Sequence, residues 1–492
     1  MPALLASVIV FATSAGVLVL EILAGRLLAP YVGVTLETYT GIIGTVLAGI
    51  ALGAWWGGRQ ADARDPRTLL GPVIAVGGLL ALACLPIVRL FGPALAGRNP
   101  ATIVALALLG FFAPAAVLSA VTPMVVKIQL DSLQETGRTV GRLSAISTVG
   151  ALFGTFVTGF VLLAAFPTPP IVIALGSALV AGGVGLWVWL PRRDTGSGSP
   201  TSVALGAVAL AALGLVIGTP CAQETAYYCA TVVDEPAGSS GRLLVLDTLR
   251  HSYVDLDDPT YLEFTYARDA VDVIDAAFPS GALDVLHIGG GGFTLPRYLS
   301  ATRPGTDNLV LELDPELVDL ARDDLGLHTG PDLQVRTGDA RLGITALPDD
   351  SRDVVIGDAF GGLAVPWHLT TREFLQEIDR VLRPDGVYVL NMIDHPPLAF
   401  ARAEAATLDA VFDNAAIVTP QERIDGAAGG NFVLAGGGAV DPEDTARRLR
   451  ARDAEDVVTS GAALERFIGD ADVLTDAYAP VDQLLEPQPA PG

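Results

Sequence analysis

The sequence predicts a multi-domain chain: an all-α polytopic membrane domain of about seven spans, a small β-rich segment, and an open α/β domain. Three observations lead there. The 492 residues have a mean hydropathy of +0.49 and are 51% hydrophobic, above the range of a water-soluble protein. Charge is divided unevenly: residues 1–220 carry 11 basic and 7 acidic side chains, and the remainder 19 and 47. Finally, VLHIGGGGFTLPRYLSATRPGTDNLVLELD, Val285–Asp314, reads as apolar strand, four glycines, short helix, second apolar strand and two acids. That order opens a sheet whose first turn can admit a nucleotide-like ligand, with an acid on the next strand for ribose hydroxyls. The domain boundaries expected from these shifts are 1–220, 221–260 and 261–492.

Apolar segments at 3–28, 36–56, 70–92, 100–122, 142–165, 170–190 and 200–219 are each near the length that crosses a hydrocarbon core as helix. The first has no basic flank and is followed by six more, so it is read as a span and not a cleaved signal. Basic residues orient the set. Arg59, Arg64 and Arg67, then Lys127, Arg138 and Arg142, then Arg192 and Arg193 occupy alternate connections, against Arg89 and Arg98 on the opposite side. The expectation is a multi-pass protein of the cell membrane with a cytoplasmic N-terminus and, after seven spans, an extracellular acidic domain.

Within the spans, Glu21 and Arg26 are read either as a structural pair or as part of a ligand or ion site. Gly53, Gly57 and Gly58, and the small-residue run Gly141–Phe160, suit close helix packing. Cys84 reads as a packed apolar residue; Cys221 and Cys229 could be bridged on an oxidising side. No cysteine or histidine cluster has metal-ligand spacing, so no metal is expected. The acidic balance excludes a nucleic acid partner.

In the second half, residues 225–257 alternate as strands around a turn at Gly238–Gly241, and Tyr261–Phe278 reads as helix. Strands are expected at 284–288, 309–313, 333–337, 353–357, 387–392 and 431–435. Helices are expected at 315–325, 371–382 and 398–412, the second stopped by a turn at RPDG. Strands alternating with helices give a mostly parallel sheet. Acids then fall at successive carboxyl ends: Glu312 and Asp314, Asp339, and Asp358. Each alone could be a cap or a solvated strand end; together they outline a ligand cleft. No GK[ST] follows the glycines, which disfavours P-loop nucleotide hydrolysis.

TPMVVK at Thr122–Lys127, DAFGGLAVPWHLTTREF at Asp358–Phe374 and LTDAYAPVDQLL at Leu474–Leu485 resemble the membrane-fused branch of the spermidine synthase, or polyamine aminopropyltransferase, family. The resemblance covers nearly the whole chain and joins a transporter-like membrane domain to a Rossmann-like α/β domain of the S-adenosylmethionine-dependent methyltransferase type. It implies a cofactor loop at Gly289, Gly290 and Gly291, a ribose acid at Glu312, an adenine-side acid at Asp339, a catalytic aspartate at Asp358 and a substrate-side tyrosine at Tyr266, with His251 beside them. Asp314 is the further cofactor-side candidate. The implied co-substrate is decarboxylated S-adenosylmethionine, or S-adenosylmethionine itself, with an amine or other small-molecule acceptor. A homodimer is left open.

The sequence departs from the family's pattern on the acceptor side. Gly292 and Phe293 replace Asp-Gly, Ala267 and Arg268 replace His-Glu, Leu246–His251 departs from Leu-Asp-Gly-x-x-Gln, and Gly361 replaces an acid. A diamine needs acids at both ends of its site and several are missing here; Arg268 suits instead a carboxylate, such as that of S-adenosylmethionine or of an anionic acceptor. The alternatives to aminopropyl transfer are a methyltransferase and a non-catalytic adenosyl-ligand sensor attached to the membrane module.

Overall fold

The computed structural model describes residues 1–97, 99–130, 136–190, 200–360 and 365–485; Arg98, Arg192, Arg193 and Gly361 lie outside the described residues. The chain forms two compact units, Met1–Thr231 with Leu246–Thr248, and Val232–Val245 with Leu249–Gly492.

Six helices of the first unit are long and apolar enough to cross a membrane: α1 (Ala3–Val32), α2 (Leu36–Ala63), α3 (Pro66–Phe91), α4 (Pro100–Gln129), α5 (Thr136–Ala165) and α6 (Thr168–Trp189). This is a multi-pass membrane protein. The seventh expected span is a helix, α7 (Pro200–Val216), but of only 17 residues. It is about 25 Å long, against about 30 Å of hydrocarbon. Gly218 and Pro220 follow closely and bar its extension.

Close packing among these helices comes from glycines. A Cβ added at Gly53 or Gly57 would lie 2.0 or 2.5 Å from the carbonyl oxygens of Ala116 and Ala120 in α4, so only glycine permits that approach. Gly58, expected beside them, has only Pro123 at 4.0 Å and takes no part. Pro114 cannot donate to the Gly110 carbonyl one turn earlier, where α4 widens into a π-helical stretch, Leu108–Phe112. The Cys84 thiol of α3 donates to that carbonyl at 3.0 Å.

Glu21 and Arg26 do not pair. Five residues along a helix place them on different faces, and Arg26 instead donates to the carbonyls of Thr225, Tyr227 and Tyr228. Cys221 and Cys229 form a disulfide, and Cys84 is free and buried.

Four strands follow, β1 (Gln223–Glu224), β2 (Cys229–Asp234), β3 (Gly241–Leu246) and β4 (Leu249–Asp255), in sequential order in one sheet. Helix α8 (Thr265–Ala277) leads into an eight-stranded sheet. Its strands are β5 (Asp284–Ile288), β6 (Asp307–Glu312), β7 (Leu333–Thr337), β8 (Arg352–Gly357), β9 (Leu382–Asp394), β10 (Ala415–Pro420), β11 (Gly430–Gly436) and β12 (Asp456–Ser460), in the order β12-β10-β11-β9-β8-β5-β6-β7. The five strands from β9 to β7 are parallel. The other three are antiparallel.

Helices α9 (Thr294–Thr302), α10 (Pro315–Asp324), α11 (Ala340–Ile344), α12 (Arg372–Val381) and α13 (Ala399–Asp409) fall between strands, with α14 (Gln421–Ile424), α15 (Pro442–Ala451) and α16 (Ala462–Ile468) later. This is the methyltransferase-type arrangement the sequence predicts. α12 ends at Val381 and β9 opens at Leu382, which pairs with Arg352; Val387 is the next to pair, with Val354, so the RPDG residues Arg383–Gly386 bulge out between these two pairs. Alternating side chains feed two cores, Leu286 and Ile288 with one face and Val285, Val354 and Ile356 with the other.

Glu404 of α13 lies in the first core, fully buried, and neither carboxylate oxygen has a hydrogen-bond partner among the described residues. Burial holds its carboxyl well above the usual carboxylate range. The unfolded chain ionises this group near its ordinary value and the folded chain does not, so folding takes up a proton and stability falls as pH rises between those two values. Glu404→Leu is expected to stabilise the protein by about 1–3 kcal/mol at pH 8 and by less at pH 4. Chemical denaturation at the two pH values checks it; an equal effect at both would reject a neutral buried carboxyl.

Candidate active site

The carboxyl ends of β8, β5, β6 and β7, adjacent in the sheet, carry Asp358, Gly289, Glu312 and Asp339 in that order. The strand order reverses between β5 and β8, where an open α/β sheet leaves a crevice. Gly289 and Asp358 face each other across it. Gly289 has φ +94°, and an added Cβ would lie 2.3 Å from the Asp358 carbonyl oxygen. Gly291 has φ +52°. Its Cβ would meet Ser252 at 2.7 Å and His251 at 3.0 Å.

The loop is held from below by Glu312, only 7% exposed. One carboxylate oxygen accepts from the Gly290 amide at 2.7 Å and the Gly291 amide at 3.4 Å, the other from Asp314 N at 2.9 Å. Burial raises this carboxyl, and the three amides offset part of the rise. The Gly292 amide donates to Ser252 Oγ at 3.0 Å. Phe293, at the place where the family pattern has a glycine, takes φ +58° with its ring fully buried and in contact range of Gly290.

Asp358 is the centre of a polar relay. Tyr266 Oη donates to Oδ2 at 3.1 Å and Asn391 Nδ2 to Oδ1 at 2.8 Å. Asn431 Nδ2 in turn donates to Asn391 Oδ1 at 2.9 Å. Burial pushes the Asp358 carboxyl up to about 6, against the opposing pull of Asn391 and Tyr266. The Tyr266 phenol is raised well above its ordinary value by burial and by the neighbouring carboxylate, so it remains a donor. His251, pushed down to about 4 by burial, is a neutral imidazole with Nδ1 3.2 Å from Ser252 Oγ.

Asp358, Tyr266 and His251 line one cavity of about 620 Å3, a size suited to a metabolite. Gly289 and Gly290 border a smaller recess that shares Asp358 and Tyr266. The other sequence candidates lie elsewhere. Asp314 is 1% exposed and caps α10, with Oδ1 accepting from Glu316 N and Leu317 N. Asp339 caps α11 and its second oxygen lies 3.3 Å from His368 Nε2.

Asn391 and Asn431 went unnoticed in the sequence. The signal was a lone amide inside the apolar strand VYVLNMI, where a buried polar group needs a partner. The far wall of the cavity is mixed in charge. Arg452 binds Asp269, and its Nε meets Asp272 at 2.6 Å. Burial, and Asp456 nearby, push the Asp269 carboxyl up to about 7. Arg268 and Arg423 also line the cavity, and neither has a carboxylate within ion-pair distance among the described residues.

A methyltransferase-domain family profile matches residues 286–390. A polyamine aminopropyltransferase of Vibrio vulnificus is 35% identical over 130 residues, 26% of this chain and 43% of that protein. Polyamine aminopropyltransferase 2 of Streptomyces coelicolor is 38% identical over 142 residues, 26% of each chain. Over these stretches the C-terminal half is similar to polyamine aminopropyltransferases.

A probable spermidine synthase from Corynebacterium glutamicum aligns with 55% of this chain and 100% of its own, at 28% identity and a TM-score of 0.49. The aligned stretch spans less than half of the Vibrio and Streptomyces proteins. Two departures from that family's pattern lie close by: Arg268 lines the cavity with Asp358, and Phe293 is buried against Gly290.

Proposed function

We propose that the spermidine-synthase-like half binds an adenosyl sulfonium compound at the glycine loop and transfers its aminopropyl group to an amine. The observation that carries this reading is the Tyr266–Asp358–Asn391–Asn431 relay opening into the 620 Å3 cavity next to that loop. In this reading the glycine loop, braced by Glu312, takes the adenosyl half of decarboxylated S-adenosylmethionine, with Asp339 at the end of the second strand beyond it. The acceptor nitrogen, unprotonated, attacks the carbon beside the sulfonium. The C–S bond breaks with its electrons on sulfur, and the new ammonium gives its extra proton to Asp358. A carboxylate held near 6 is ionised at neutral pH and basic enough for this step. Tyr266 and Asn391 aim it and leave it lone pairs on the cavity side.

The pH dependence follows. With Asp358 required as the base, kcat/KM is expected to fall as pH drops through about 6, and a profile flat from pH 5 to 8 would reject the assignment. Supplying isotopically labelled donors to the full chain in detergent tests the reaction itself. Label from decarboxylated S-adenosylmethionine appearing in the acceptor supports aminopropyl transfer; label from S-adenosylmethionine alone identifies a methyltransferase. Arg268 and Arg423, lacking carboxylate partners, favour the latter outcome for a donor or acceptor that bears a carboxylate.

The disulfide favours the sensor reading. Disulfides persist on oxidising sides of membranes, which supports the extracellular placement of residues 221–229, away from the cytosolic supply of the donor. Accessibility of a cysteine introduced at exposed Ala237, probed in intact cells with an impermeant reagent, tests this placement. Labelling without breaking the cells supports the extracellular side, and protection until lysis rejects it.

A further inference from the structure

The membrane unit contains the same three-helix motif twice. GAWWG, Gly53–Gly57 in α2, returns as GALFG, Gly150–Gly154 in α5. Leu70-Gly71 and Gly77-Gly78 in α3 return at identical spacing as Leu175-Gly176 and Gly182-Gly183 in α6.

The contacts repeat with the sequence. Gly53 and Gly57 pack on the carbonyl oxygens of Ala116 and Ala120 in α4; Gly150 and Gly154 pack on those of Phe11 and Ala15 in α1, where a Cβ would come within 2.4 and 2.5 Å. Phe11 precedes Ala116, and Ala15 precedes Ala120, by the same 105 residues that separate Gly71 from Gly176. A Cβ added at Gly71 would lie 2.8 Å from the Gly183 carbonyl oxygen, and one at its counterpart Gly176 would lie 3.0 Å from that of Gly78. One operation exchanging α1 with α4, α2 with α5 and α3 with α6 therefore carries each of these contacts onto another. Three spans reverse direction across a bilayer, so the two copies are inverted.

The symmetry fails in one place. Between α3 and α4 the packing is closed: a Cβ at Gly77 would fall 2.4 Å from Leu118 and 3.6 Å from Val117, and Cys84 donates to the Gly110 carbonyl. The operation carries Gly77, Leu118, Val117, Cys84 and Gly110 onto Gly182, Thr13, Ala12, Trp189 and Leu5. Those five residues do not touch as their counterparts do. All of them line an apolar cavity of about 530 Å3 between α1 and α6, and nothing lies within 4 Å of a Cβ at Gly182.

We infer that the membrane unit is an alternating-access carrier, open here between α1 and α6 and closed between α3 and α4, whose second state has the two interfaces exchanged. The two interfaces share the glycine, Gly77 in one and Gly182 in the other, and the open space at Gly182 leaves room for α6 to close on α1 there as α3 closes on α4 at Gly77. The glycine crossing of α3 and α6 provides a backbone-to-backbone pivot on which the copies rock. The cargo has an apolar body of the acyl-chain type. The cavity lies among bilayer-crossing helices, and its lining holds one hydroxyl, Thr13, and no charged side chain.

The test uses the full chain in lipid nanodiscs with Cys84→Ala, the native disulfide occupying the other two thiols. One cysteine pair is Thr13→Cys with Gly182→Cys; the other is Gly77→Cys with Leu118→Cys. Each pair alone is expected to react with a short bifunctional thiol reagent. In the four-cysteine variant one link is expected to exclude the other. Failure of the Thr13/Gly182 pair to link, or both links in one molecule, would overturn the exchange.

Gly77 is tightly packed, so spin labels at positions 13 and 182 alone provide a second reading. Two distance populations are expected, and a single one overturns the proposal. For the cargo, the Trp189 fluorescence component, defined by difference from Trp189→Phe, is measured in vesicles of brominated-acyl phosphatidylcholine. Quenching that linking 13 to 182 removes supports an acyl occupant. Quenching unaffected by the link rejects it.

Discussion

Asp358→Asn is expected to lower turnover of the sulfonium donor by roughly 10²–10⁴-fold, the usual contribution of a general base, with donor binding unchanged. The amide is nearly isosteric and can still accept from one of its two neighbours, Tyr266 Oη or Asn391 Nδ2. It cannot take a proton. In the proposed reading Asp358 serves the acceptor in the larger cavity, whereas the adenosyl half is held by the glycine loop. Binding and chemistry therefore separate. Single-turnover kinetics beside calorimetric titration of the donor measures both. Wild-type turnover in the variant would remove Asp358 from the base role. Unchanged binding by a wild-type protein with no turnover on either donor would establish the sensor.

The second large effect is expected at Gly289. Alanine there must hold φ +94° and place its Cβ 2.3 Å from the Asp358 carbonyl oxygen and 3.2 Å from Ala359 Cα, with backbone on the other side that cannot swing away. The left-handed conformation alone costs about 1–3 kcal/mol, and the clash adds to it. Gly289→Ala should lower the thermal unfolding temperature and abolish ligand binding together. Gly305→Ala is the control. It has φ +89° but meets only Ala282 Cβ at 3.5 Å, so it should destabilise without loss of affinity. Equal affinity losses in the two variants would show that global stability, and not the loop, governs binding.

Much of the parallel half of the sheet was legible because its strands are short apolar runs ending in acids, and that pattern is local. The strands Ala415–Pro420 and Asp456–Ser460 were not anticipated. They pair antiparallel at the sheet's edge, and nothing in AAIVTP or DVVTS distinguishes such a partner from a buried loop. RPDG keeps its local preference as a bulge at the start of β9, between the Leu382 and Val387 pairs with β8. In the membrane half, spans were readable from hydropathy. The Glu21–Arg26 pair was not decidable, because the chain beyond α7 supplies three carbonyls that hold Arg26.

By itself, then, the sequence determined the division into an apolar helical half and an acidic α/β half, the glycine turn after the first strand of the large sheet, and the acids at successive strand ends. Those are consequences of composition and of short-range periodicity. Tertiary structure alone decided which candidates meet. Asp358, Tyr266 and His251 come from β8, α8 and β4 to one cavity, whereas Glu312 turns to the loop amides and Asp314 to a helix end. A carboxylate at a strand terminus has several backbone donors within reach, and which it takes depends on neighbours distant in sequence. Asn391 and Asn431, 40 residues apart, show the same dependence: each is an ordinary amide until β9 and β11 pair, so that Asn431 donates to Asn391 and Asn391 to Asp358.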